Sequence, residues 1–364
     1  MWTDPGAFAV APGVYRIPLP LPQDALRAVN VYAVEEADGL VLIDAGWAMA
    51  QSLQALAAGL AAIGHDLGEI RRVLVTHIHR DHYTQAVELR RRVGARVSLG
   101  IGERPGLTAL HEVGTNLPVD TLIRLERAGA ADLAARVRRS LGPPQWDLDV
   151  WESPDEWLTA GLIELGTRTL RVIPTPGHTI GHVVFLDEAA GLLFAGDHVL
   201  PRITPSIGFE LGRTSGLPLA DFLDSLRLVT TYPDATLLPA HGPVGPSVHG
   251  RVAELLDHHD QRLAETQAAI GSRRLNAYEV AHRLTWTRRR TRFTDLDDNN
   301  QMLAVAETAA HLDLLVSRRL LQGGQDADIV LYEQPALHDQ AAHRLAPASP
   351  TASPLGAGPE PTSS

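Results

Sequence analysis

VLVTHIHRDHYTQA, residues 73–86, places His77, His79, Asp81 and His82 within six positions, directly after an apolar run. The run RRVLVT (71–76) reads as a buried strand and AVELRRRVG (86–94) as a helix, so the four residues are expected on the loop between them. In a helix, His77 and Asp81 would share a face while His79 pointed almost oppositely, and one ion could not collect both histidines. On a loop leaving a strand, residues 77 and 79 can aim the same way, with 81 and 82 turned into an adjacent position. The spacing therefore suits two neighbouring metal sites better than one.

The same grammar recurs downstream. VIPTPGHTIGH supplies His178, LLFAGDHVLP supplies Asp197 and LLPAHGP supplies His241, each after an apolar run and inside a loop bounded by Gly or Pro. Singly, each of these is as well read as an ordinary loop residue; four such sites in one order are not. The chain contains no Cys and no Lys. Disulfides, thiolate or lysine nucleophiles and Cys-ligated zinc are excluded, and any metal must be held by imidazole and carboxylate.

The ordered motifs T-H-x-H-x-D-H, P-G-H-T-x-G-H, G-D and a final His-Gly resemble the metallo-β-lactamase superfamily over roughly residues 12–260. The resemblance implies an α/β fold, an αββα sandwich with a two-metal site on one edge and, here, a helical C-terminal extension. It implies that His77, His79 and His178 bind one metal, that Asp81, His82 and His241 bind the other, and that Asp197 bridges them. Two Zn²⁺ are expected, with Mn²⁺ or Fe as alternatives. A hydroxide held between two such ions would be the nucleophile, and Asp81 would handle the proton as the catalytic residue. Asp44, in LIDAGW, falls where the family has a strand-end Asp and is expected to orient a ligand histidine. His182 and His198 flank ligands as supporting groups or as plain loop histidines. Tyr83 stands where the superfamily usually carries a small residue; it either narrows the site or packs against the neighbouring insertion.

Around these motifs, NVYAV and LVLID form an expected hairpin about Asp38-Gly39, followed by a helix in AQSLQALAAGLAAIG with Gly64 as its cap. A catalytic domain is expected over 1–250, with a helical insertion at about 102–160 containing one amphipathic helix in LIRLERAGAADLAARVRRSL. Residues 251–333 read as a helical, winged-helix-like module ending in a wing strand, DADIVLYEQ, and 334–364 as a Pro/Ala/Ser-rich disordered tail.

The net charge of −11 argues against broad binding to nucleic acid or anionic membranes. No stretch approaches the roughly 18 apolar residues of a membrane span. The N-terminus lacks the pattern of a secretory signal, so a cytoplasmic location is expected. The bridging Asp197 groups the chain with thioesterases, lactonases and phosphodiesterases of the superfamily. An ester-like small molecule, thioester or lactone, is the expected substrate, under a lid lined by Trp146, Trp151, Trp157 and Phe209. The alternative is a metal-dependent endoribonuclease or phosphodiesterase, favoured by the basic cluster TRRRTR (287–292) and the winged-helix-like segment, and opposed by the following DLDD and the absence of a basic tRNA-gripping arm. Formation of a homo-oligomer is left open.

Overall fold

A computed structural model describes residues 1–22, 26–113, 119–140, 148–208 and 216–336. Its first sheet contains β1 (Phe8–Ala11), β2 (Val14–Pro20), β3 (Ala28–Glu36), β4 (Gly39–Ile43), β5 (Ile70–Val75), β6 (Arg96–Gly100) and β7 (Glu156–Leu158), in that spatial order. β1 to β4 pair antiparallel; β4 to β7 pair parallel. The parallel crossovers carry α1 (Ala50–Ala62), α2 (Arg80–Val93) and, between β6 and β7, α3 (Arg104–Val113), α4 (Val119–Arg127) and α5 (Ala131–Ser140). A second sheet has the order β12 (Thr236–Pro239), β11 (Leu192–Gly196), β10 (Val183–Asp187), β9 (Thr169–Pro174) and β8 (Gly161–Glu164), with α6 (Pro218–Val229) crossing from β11 to β12. The expected hairpin around Asp38-Gly39 is present, and a second joins β10 to β11 through the turn at Asp187–Gly191.

Period-two alternation explains why the sheets stack. Val29, Val31, Leu40, Leu42, Val73 and Val75 face outward onto α1 and α2, while Tyr32, Val34, Val41, Ile43 and Leu74 face inward. They meet Val183, Phe185, Leu192 and Phe194 of the second sheet, whose own alternates Val184, Leu186, Leu193 and Ala195 face the helices on the far side. With both faces covered, each central strand is a continuous apolar run. The outcome is the four-layer αββα sandwich expected from the sequence.

The remaining elements are α7 (Val248–Ile270), α8 (Ala277–Ala281), the short hairpin β13 (Thr285–Trp286) and β14 (Thr291–Arg292), α9 (Asp298–Ser317), and the hairpin β15 (Gln322–Asp326) and β16 (Ile329–Glu333). Leu255, Val280, Leu312 and Tyr332 share one apolar cluster with Leu133, Leu193 and Phe222, so these elements pack on the second sheet through α4, α5 and α6. The expected wing is a two-stranded hairpin rather than one strand. The single amphipathic helix expected over 122–141 is two, α4 and α5, broken at Gly129 (φ +83°), where Asn276 lies against the glycine and Tyr278 donates its amide to the Ala128 carbonyl. Among the described residues no helix is long and apolar enough to cross a membrane.

α7 and α9 meet at two buried imidazoles. His311 Nδ1 donates to the Glu307 carbonyl, which leaves Nε2 to accept from His259 Nδ1 at 3.3 Å. Burial pushes His259 down to about 2 and His311 down to about 4. Both folded values lie below the unfolded value of about 6.5, so the unfolded chain takes up protons first, and stability is lost as pH falls below that value. Between pH 6 and 5 each imidazole is expected to cost up to about 1.4 kcal/mol. Denaturant titrations at several pH values should therefore show a flatter acid limb for a His259→Phe/His311→Leu variant than for the parent.

Candidate metal centre

The site gathers at the carboxyl ends of the parallel strands. β4 delivers Asp44, β5 delivers Thr76 and His77, β11 delivers Asp197 and β12 delivers His241, while His178 lies on the loop after β9. The expected strand-to-helix loop is shorter than the sequence suggested. His79, in extended conformation, caps α2, which begins at Arg80, so Asp81 and His82 stand on its first turn. There the helix dipole favours a carboxylate. The start of this helix is polar although buried: His82 faces the site, while Thr84 accepts from the Ala48 amide and Gln85 donates to the Ala45 carbonyl, pinning the loop after β4.

Two groups of side chains converge. His77, His79, His178 and Asp197 form one, and Asp81, His82 and His241 the other. In the first, His79 Nδ1 lies 2.9 Å from His77 Nε2 and 3.0 Å from His178 Nε2. Asp197 spans both groups, with Oδ2 at 3.4 Å from His178 Nε2 and Oδ1 at 3.3 Å from His241 Nε2 and 3.7 Å from His82 Nε2. Asp81 Oδ2 lies 3.4 Å from His241 Nε2 and 3.7 Å from His82 Nε2. All seven residues singled out in the sequence are thus brought together.

The scaffold fixes the tautomers. His178 Nδ1 donates to the Ser206 carbonyl and His241 Nδ1 to the Ala28 carbonyl, each at 2.8 Å. His82 Nδ1 donates to Asp44 Oδ2 at 2.9 Å. The Thr76 hydroxyl donates to Asp44 and accepts from His77 Nδ1 at 3.0 Å. With Nδ1 protonated in all four, each Nε2 presents a lone pair to the centre. His82 Nε2, His241 Nε2 and Asp197 Oδ1 are buried with no hydrogen-bond partner among the described residues. Converging buried lone pairs and carboxylate oxygens without donors are costly unless cations sit among them, so this donor set fits divalent metal.

The charges agree. Burial, then the neighbouring imidazoles, drive His77 well below its ordinary value; burial and His178 push His79 down to about 3. Burial alone would raise Asp197, yet His241, His82 and His178 hold it below the usual carboxylate range. His82 is disfavoured by burial but pushed up to about 10 by Asp44, Asp81 and Asp197, which marks the second group as demanding positive charge.

Supporting residues fall into place with less warning from sequence. Asp44, with φ +60°, orients His82 and also accepts from the Thr76 amide at 2.8 Å. His182 faces away from the ion groups: Nδ1 donates to Thr175 Oγ1 and Nε2 accepts from the Asp197 amide. His198 packs edge-on to Phe222. Gly196 (φ +51°) admits no side chain, since a Cβ would sit 2.7 Å from both His182 Nε2 and Thr76 Oγ1. Buried Glu103 accepts from the Thr179 hydroxyl and contacts the Ile78 amide, tying the loop of His178 to the loop of His77 and His79. Tyr83 does not narrow the site: it is buried, donates to the Glu152 carbonyl and stacks on Trp151. Trp151 and Trp157 pack with Ile78, Leu107 and Leu110, so they anchor the insertion instead of lining a lid; Trp146 and Phe209 lie outside the described residues.

Residues 24–241 match the family model of the metallo-beta-lactamase superfamily. The chain is 25% identical over 337 residues to "Probable metallo-hydrolase YqjP" of Bacillus subtilis, an alignment covering 87% of this chain and 96% of that protein. It is 33% identical over 119 residues to "Lactamase-like protein nscB" of Trichophyton equinum, a third of either chain. Among solved structures, the metallo-beta-lactamase family protein TTHA1429 from Thermus thermophilus superposes with a TM-score of 0.72 at 27% identity, covering 90% of this chain and 100% of that one. A beta-lactamase domain protein from Burkholderia ambifaria gives 0.74 at 28%, covering 90% and 94%.

Replacing Asp44 by Asn leaves one acceptor oxygen where Thr76 and His82 Nδ1 require two, so the His82 ring loses its fixed tautomer or its link to Thr76. Chelator competition is expected to show metal bound about 10–100-fold more weakly, while circular dichroism remains that of the parent.

Proposed function

The chain belongs to the metallo-beta-lactamase superfamily and is a hydrolase, and from that premise we propose a binuclear enzyme that cleaves an ester-like bond, thioester or lactone, in a small molecule. The observation that carries the binuclear reading is Asp197, whose two oxygens face different histidine sets. His77, His79, His178 and Asp197 would hold one divalent cation; Asp81, His82, His241 and the second oxygen of Asp197 would hold the other, with Zn²⁺ suited to this donor set. When bound, such cations supply Lewis-acid polarisation of the scissile group and lower the pKa of a water toward neutrality.

The chain's own residues orient and move protons. Asp197 fixes the separation of the two donor sets. Asp81 is the most accessible carboxylate of the cluster, its side chain 15% exposed against 8% for Asp197 and 3% for Asp44. It is therefore the group placed to take a proton at Oδ from an incoming nucleophile and pass it to the leaving group. Thr76, Ser206 and Ala28 hold the imidazole rings against rotation while charge shifts. Residues 1–250 would form the catalytic unit, and the winged-helix-like residues 251–333 would wall its flank.

Three features support a small acyl substrate. The net charge of −11 disfavours a polyanion. No Cys or Lys offers covalent catalysis. A relative matched over a third of the chain is named lactamase-like. A panel on metal-loaded protein tests the reading: thioesters and lactones, bis(p-nitrophenyl) phosphate and single-stranded RNA. Turnover of the acyl substrates is expected to exceed that of the others, and Asp81→Asn to lower kcat by about 10²–10⁴-fold. Metal-dependent cleavage confined to RNA would overturn it.

A further inference from the structure

The basic stretch TRRRTR finds no role at the metal centre, and its position gives it one elsewhere. Arg202, Arg251, Arg262, Arg288 and Arg290 converge on a cavity of about 610 Å³ between α7 and the β13–β14 turn, with Trp286 on its wall. The segment that carries Asp197 runs on through Arg202, Ile203 and Thr204, which line this cavity, and returns at Ser206 to accept the hydrogen bond of His178. The cavity and the metal centre therefore lie on two sides of one short loop.

That loop is held by arginine. Arg251 donates to the carbonyls of Leu200 (2.7 Å) and Ile203 (3.0 Å), and Arg288 reaches across to the Arg202 carbonyl (2.7 Å). The turn presenting Arg288 and Arg290 adopts left-handed backbone at Thr287 (φ +61°) and Arg290 (φ +54°), neither of them glycine. Carboxylates line the cavity too: Glu254 pairs with Arg251 at 2.7 Å, Glu265 with Arg262 at 3.2 Å, and Glu307 lies 3.9 Å from Arg262. Five guanidinium groups against three carboxylates leave an excess of two positive charges, in a chain of net charge −11. Arg202 and Arg290 have no carboxylate partner among the described residues, and Arg262, 7% exposed and stacked 4.1 Å over Trp286, keeps Nη2 without an acceptor.

We propose that this cavity binds a phosphate-class oxyanion, either free or carried as an ester on a small molecule. Planar guanidinium groups match the oxygens of such an anion, and the cavity is of the size that takes an organic ligand instead of the anion alone. A polynucleotide is disfavoured, because the chain as a whole carries a net charge of −11. The site stands independently of the bond that the metal centre cleaves.

Sulfate, a phosphate mimic and a poor metal ligand, is the probe, titrated calorimetrically into the metal-loaded full chain at constant ionic strength. Saturable binding is expected, weakened about tenfold or more by Arg202→Ala/Arg290→Ala, both exposed. It should persist in Asp197→Asn. Binding that ignores the arginine pair, or that disappears in Asp197→Asn instead, would overturn the proposal, as would arginine-dependent binding of an RNA oligonucleotide with none of sulfate. Comparing butyryl-coenzyme A with the same acyl group on phosphate-free N-acetylcysteamine separates the sources. An arginine-dependent preference in KM for the former identifies the anion as part of the substrate; equal turnover with sulfate binding intact identifies a free anion. Failure to hydrolyse either, with sulfate bound, would count against the acyl reading alone.

Discussion

Each of four histidines at the centre has its outward nitrogen occupied by an oxygen of the scaffold: Asp44 for His82, Thr76 for His77, Ser206 for His178 and Ala28 for His241. Those oxygens accept protons on Nδ1, and the lone pairs on Nε2 are thereby committed to a common interior. An imidazole free to rotate or to change tautomer would relieve the crowding of buried acceptors by donating to a neighbour. Because the scaffold denies that relief, the cluster is an arrangement that a cation completes. The rest of the sandwich serves this condition, since two of the four oxygens are backbone carbonyls whose positions depend on sheet register and loop path.

That dependence explains what could be read in advance. The strands were legible because alternation with both faces covered gives continuous apolar runs, as in VLVT and LLFAG, and the donors were legible because imidazole and carboxylate have few other reasons to cluster. The start of α2 lies earlier than the apolar period suggests because Asp81 and His82 face the ion groups and Gln85 is buried against the Ala45 carbonyl, so polar residues stand where a helix facing the core would carry apolar ones. The break at Gly129 is a left-handed cap closed by the Ala130 amide on the Leu125 carbonyl, and a single glycine inside an otherwise periodic pattern gives little warning of it. Ser206 and Ala28 act through main-chain carbonyls and leave no residue-type signature at all. Tyr83 and Trp151 show the converse, residues conspicuous in type whose work is packing.

Shared architecture sets the chemistry only broadly. The catalytic edge is built from the ends of strands that also hold the core, whereas discrimination among substrates depends on the segments that leave that edge. In this chain the segment after Asp197 holds the His178 ring through the Ser206 carbonyl on one side and lines the arginine cavity with Arg202, Ile203 and Thr204 on the other. A substrate placed along it would meet an imidazole and carboxylate cluster and an arginine cavity within a few residues.

The two sheets are stitched at the catalytic edge by Asn30, whose amide donates to the carbonyls of Pro239 and Gly242, and by Tyr32, whose hydroxyl donates to Pro239. The first of these bonds spans 209 positions, and the one from His241 to Ala28 spans 213. Contacts so distant in sequence are expensive to close and form after the local hairpins. During synthesis, the first sheet and six of the seven donors leave the ribosome before the seventh exists. A nascent or truncated chain ending before β12 therefore carries six of the seven donors without the bond from His241 to Ala28 that joins the two sheets at this edge.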